Sequence, residues 1–106
     1  MQVSEEKIYR ELALDLSKNF AFDTNKTVFD VDNFFEQFQK NLSEHIFDLL
    51  QNDYNRLLAI LYRIDVNEKT VQNALQGKDV FTAADNLSKA IIERLIQKIR
   101  FRMKAT

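Results

Sequence analysis

Glycine occurs once in this chain of 106 residues, and proline not at all. Proline ends helices, and glycine supplies the left-handed turns that hairpins and phosphate-cradling loops require. A chain with so little punctuation reads as a few long helices. The same scarcity excludes function classes. A phosphate loop, a dinucleotide-binding fingerprint and a strained nucleophile elbow each need glycines that this chain lacks. Cysteine is absent too. That removes disulfides, thiolate zinc sites and thiol catalysis, and it makes a reducing cytoplasm the expected compartment. No apolar run approaches the ~18 residues that a membrane span needs. The polar start, Met-Gln-Val-Ser-Glu-Glu-Lys, predicts neither a signal peptide nor a membrane anchor.

What is present is the composition of a folded domain: 45% hydrophobic and 29% charged residues, with nine of the twelve aromatics phenylalanine. A single helical domain over residues 1–106 is expected. A chain this long buries roughly 60% or more of its unfolded surface, so it holds a core without staples. The formal net charge of −1 is unevenly spread. Residues 89–106 carry six basic residues (Lys89, Arg94, Lys98, Arg100, Arg102, Lys104) against the single acid Glu93, so the other 88 residues net −6. Cations at a helix C-terminus compensate its dipole. They also attract an anionic partner.

The apolar spacing predicts four helices. Ile8, Leu12 and Leu16, widened by Tyr9 and Ala13, form the stripe of a first helix over Ser4–Asn19, with Ser4 as its cap. Residues 20–31 break the period. Phe20, Phe22 and Phe29 flank a polar turn, which reads as a Phe-rich connecting loop, with a small hairpin as the other reading. From Asp32 the helical period resumes. Phe35, Phe38, Leu42, Ile46, Leu49, Leu57, Ile60 and Ile64 share one stripe, with a bend near Asn41 or a fresh cap at Ser43 as options. Asp53 interrupts that stripe. Either it pairs with Arg56, or the helix kinks and Asp53 caps its second half. Asp65-Val66-Asn67-Glu68 reads as a capping box opening a short linking helix through Val71, Ala74 and Leu75, and Gly77 suits its left-handed end. Thr82 then opens a last helix reaching about Met103, with Leu87, Ile91, Leu95 and Ile99 as its stripe. The expected fold is all-α: a four-helix arrangement with two long antiparallel helices and one short helix linking them.

Few residues carry recognisable chemistry. Asp23, Asn25 and Thr27 alternate as in a calcium loop, but Val28 and Phe34 occupy the positions that call for glycine and a bidentate glutamate. His45 is the only histidine. Histidine phosphotransfer domains place Lys three residues on and then Gly, where this chain has Asp48 and Leu49. The acid pairs Glu11/Asp15 and Glu44/Asp48 fall on polar faces, as solvated carboxylates do. No catalytic residue, metal ligand or cofactor is therefore expected, and the chain reads as a non-enzyme.

Interaction surfaces read more clearly. Apolar positions cover about half of the last helix, with Ile92 and Ile96 along one edge. Phe47, Tyr54, Leu58 and Leu61 lie beside the main stripe of the long helix. The Phe-rich loop or a second chain must cover that excess. Candidate partner-binding residues are Tyr54, Leu58, Leu61, Ile92, Ile96 and Phe101, for a homodimer or another helical protein. The alternative is nucleic acid or another anionic partner held by Arg94, Lys98, Arg100, Arg102 and Lys104, with Phe101 placed to stack on a base. Against it, the cations point in several directions and no helix-turn-helix is present.

The stretch from Asp53 to Val66 (Asp-Tyr-Asn-Arg-Leu-Leu-Ala-Ile-Leu-Tyr-Arg-Ile-Asp-Val), with Ala90 to Lys98 (Ala-Ile-Ile-Glu-Arg-Leu-Ile-Gln-Lys), resembles a group of short uncharacterised bacterial all-helical proteins. The resemblance covers the C-terminal half only. It implies a cytoplasmic bacterial helical protein and supplies no activity.

Overall fold

The computed structural model describes residues 5–20, 34–76 and 79–104, which form five α-helices with no strand among them. They are α1 (Glu5–Phe20), α2 (Phe34–Asn52), α3 (Tyr54–Ile64), α4 (Glu68–Leu75) and α5 (Val80–Lys104). The expected Ser4 cap, Phe22 and Phe29 of the connecting loop, residues 23–28 of the calcium-like pattern and Gly77 lie outside the described residues. Phe20 itself belongs to α1 rather than to a loop, and it is buried.

Five helices replace the expected four because the long helix from Asp32 to Ile64 is two. Asp53 makes the break. Its backbone amide closes α2 on the Leu49 carbonyl at 2.9 Å, and its Oδ1 accepts the Arg56 amide at 3.2 Å to cap α3. The contact with Arg56 is therefore a cap on its backbone rather than a side-chain ion pair. Asp53 is exposed, so its own charge is not buried. α2 runs unbroken through Asn41 and Ser43, so Ser43 does not cap a fresh helix.

Two further boundaries differ from expectation. Asp65 ends α3 instead of opening the next helix. It takes the left-handed conformation (φ 65°, ψ 48°), its amide donates to the Tyr62 carbonyl, and the Val66 amide donates to Leu61, both at 3.1 Å. A residue in that conformation cannot also hold the extended geometry of an N-cap. Asn67 does so, its Oδ1 accepting the Lys69 amide at 2.8 Å. Likewise α5 opens before Thr82. Asp79 accepts the Thr82 amide at 2.8 Å and the Thr82 hydroxyl at 2.9 Å.

α5 is the hub. It packs against each of the other helices. Its stripe of Leu87, Ile91, Leu95 and Ile99 joins Leu12 and Leu16 of α1, Phe38, Leu42 and Ile46 of α2, and Leu57, Ile60 and Ile64 of α3 in one buried cluster. Leu49 is only half-buried at its edge, because α2 ends close behind it. Gln39 of α2 meets Asp85 of α5, and further along α2 Phe47 meets Phe81. The contact moves up one helix as it moves down the other, so α2 and α5 run antiparallel.

Candidate interaction surfaces

The core decides which apolar residues are left for a partner. Leu61 and Ile92 are not left over. At 4% and 7% exposure they belong to the buried cluster, because α3 and α5 each meet more than one neighbour and so bury a wider arc than a two-helix seam would. Ile96 is half-buried at the edge of the same cluster. Tyr54 and Leu58 are exposed, and Tyr62, which sequence reasoning passed over, stands 88% exposed. Their four-residue spacing was the available signal: Tyr54, Leu58 and Tyr62 form one line on the outer side of α3.

A second surface lies where α2 meets the start of α5. The Phe47 and Phe81 rings stack there with centroids 4.4 Å apart. Phe47, Phe81 and Ala84 give an apolar wall to a groove of about 420 Å³ whose polar edge includes Glu36, Lys40, Glu44 and Asp85. Phe81 is 72% exposed. It precedes the expected helix start at Thr82, so apolar spacing alone does not place it on a helix face.

The cations of α5 separate into two sets. Arg94 donates through Nε to the Asp65 carbonyl at 3.1 Å and reaches the Asp65 carboxylate at 3.3 Å, so it serves the end of α3. Arg102 lies 3.4 Å from Asp15 and 3.6 Å from Glu11, which ties α5 to α1. Lys98, Arg100 and Lys104 make no ion pair among the described residues. Phe101 is 76% exposed. With Arg94, Gln97, Lys98 and Arg102 it lines a surface groove of about 530 Å³. Phe101 and Lys98 thus share a face, and neither Arg100 nor Lys104 lines that groove.

The remaining polar residues have local surroundings. The carboxylates of Glu11 and Asp15 converge on Arg102. Asp48 accepts a hydrogen bond from the Asn52 side chain at 2.6 Å. His45 is exposed on α2, beside Asn19, Asp48 and Arg56. Among the described residues no group of three or more acids and histidines is placed to hold a metal ion, and no helix is long and apolar enough to cross a membrane. No protein-family model, curated protein or solved structure matches the chain.

Proposed function

We propose that this chain is a non-enzymatic helical interaction module of the bacterial cytoplasm that self-associates through an apolar helix face. The observation that carries this reading is apolar surface left outside the core: Tyr54, Leu58 and Tyr62 in one line at helical spacing on α3, and Phe81 and the half-buried Ile96 as separate apolar positions on α5. Exposed apolar surface that is contiguous rather than scattered marks an interface, and a symmetric dimer is the commonest way to cover it. The test is sedimentation of the pure protein over a range of concentrations at two salt levels. A dimer that persists at high salt is expected, because apolar burial drives it.

A second reading has its own observation. Lys98, Arg100 and Lys104 lack carboxylate partners among the described residues, and Phe101 stands exposed beside Lys98. That arrangement suits a nucleic acid or another polyanion. Such binding weakens steeply as salt rises. A strict monomer at high micromolar concentration, joined to salt-sensitive nucleic-acid binding that Arg100→Ala abolishes, would replace the first reading with the second.

A further inference from the structure

Self-association of the kind proposed above can use α3 or α5, and the two lines differ in charge. Tyr54, Leu58 and Tyr62 are uncharged. On α5, Phe81, Asp85, Lys89, Ile92, Ile96 and Arg100 recur every three or four residues and share one side of the helix. The two ends of that line have opposite sign. At its start, Asp85 lies on the Phe-walled groove with Glu36 and Glu44 of α2, against the cation Lys40 among the described lining residues. Asp85 holds Lys89 at 3.4 Å and accepts a hydrogen bond from Gln39 at 2.9 Å. Glu36 and Glu44 are exposed and make no ion pair among the described residues. At the far end, Arg100 and Lys104 are exposed and equally without one. Between the ends, Ile92 and Ile96 with Gln39, Lys89 and Glu93 line a dimple of about 290 Å³.

We propose that α5 packs against α5 of a second copy, antiparallel across a two-fold axis near Ile92 and Glu93. Asp85 and Arg100 lie equally far from that axis, ~11 Å at 1.5 Å per residue. The two-fold therefore brings the acidic groove of each copy to Arg100 and Lys104 of the other, and forms each contact twice. Their aliphatic stems cover Phe81 while the charged heads meet the groove's carboxylates. Near the axis, Ile96 of each copy meets the stem of Lys89 from the other. A parallel pairing would set groove against groove and Arg100 against Arg100, so the sign pattern selects the antiparallel one. This inference rests on the self-association reading and adds the face and the symmetry.

The absence of cysteine makes engineered single thiols clean reporters. Glu93→Cys, beside the axis, is expected to join two copies through a short bismaleimide, whereas Leu58→Cys on α3 is not. Arg100→Glu with Lys104→Glu is expected to weaken the dimer roughly tenfold in sedimentation, and adding Glu36→Lys and Glu44→Lys is expected to restore it. All four charge-changed residues are exposed, so the fold tolerates these changes. If the wild-type chain dimerises but Leu58→Cys links and Glu93→Cys does not, the α5 pairing is overturned and self-association stands. A dimer that is indifferent to the charge reversals overturns the pairing in the same way. If the wild-type chain stays monomeric at high micromolar concentration, both readings fall together.

Discussion

Asp79 shows how one carboxylate sets the start of the longest helix. Its hydrogen bonds from the Thr82 amide and hydroxyl hold its pKa below the ordinary 3.8. A pKa depressed in the folded state means a contribution that is complete above the unfolded value and lost as pH falls through the folded one. Thermal melts should therefore show wild type above Asp79→Asn at neutral pH, with the difference closing as pH drops below about 3.8. Asp79→Ala, which also loses the cap acceptor, should melt lower than Asp79→Asn at neutral pH. A wild-type advantage unchanged down to pH 2 would mean that the carboxylate does not act through these bonds. Asp53 plays the same part at α3. Asp53→Ala should cost ~0.5–2 kcal/mol, the usual worth of an N-cap, and Asp53→Asn only a fraction of that. Urea melts of the two variants measure the difference. Equal losses would point to the charge rather than to the capping oxygen.

Helix packing was legible where apolar spacing alone decides it. Ile8, Leu12 and Leu16, then Leu87, Ile91, Leu95 and Ile99, repeat with the helical period, and all are buried. Leu95→Ala should cost about 2–5 kcal/mol in urea melts, as a cavity in the hub helix does. A loss under about 1 kcal/mol would remove Leu95 from the core. Leu49→Ala, at the half-buried edge, should cost less than Leu95→Ala. Helix ends were harder to read, for a physical reason. With so little glycine and no proline to mark breaks, boundaries fall to Asp and Asn, and these residues serve several end geometries. Asp65 takes a left-handed C-terminal role while Asn67 caps the next helix. The sequence pattern Asp65…Glu68 fits a capping box equally well and cannot tell the two apart. The candidate surface was half legible. Periodicity marks Leu61 and Ile92 as flanking the stripes, but whether a flank is covered depends on how many helices pack there. Tyr54 and Leu58 are legible from their position and Tyr62 from its four-residue spacing to them, while Phe81 needed the true start of α5.

The whole molecule is somewhat elongated, 42 × 29 × 21 Å with a radius of gyration of 13.8 Å, against roughly 13 Å for a compact chain of this length. α5, ~37 Å long at 25 residues, accounts for the long dimension. It divides the labour of the charges. Arg94 and Arg102 tie it to α3 and α1, which leaves the exposed Arg100 and Lys104 and the half-buried Lys98 near one end and the Phe-walled groove with Glu36 and Glu44 near the other. Arg102→Ala should therefore lower stability by only ~0.2–1 kcal/mol, as exposed ion pairs do, and leave association unchanged. A loss of several kcal/mol would give that contact a larger part in the fold. The central claim is that the leftover apolar surface meets a second copy of the same chain. Sedimentation equilibrium of the pure protein, from low to high micromolar and at low and high salt, tests it most directly. The account predicts a monomer–dimer equilibrium that survives the high-salt series. A single monomeric mass at every concentration and both salt levels would contradict it.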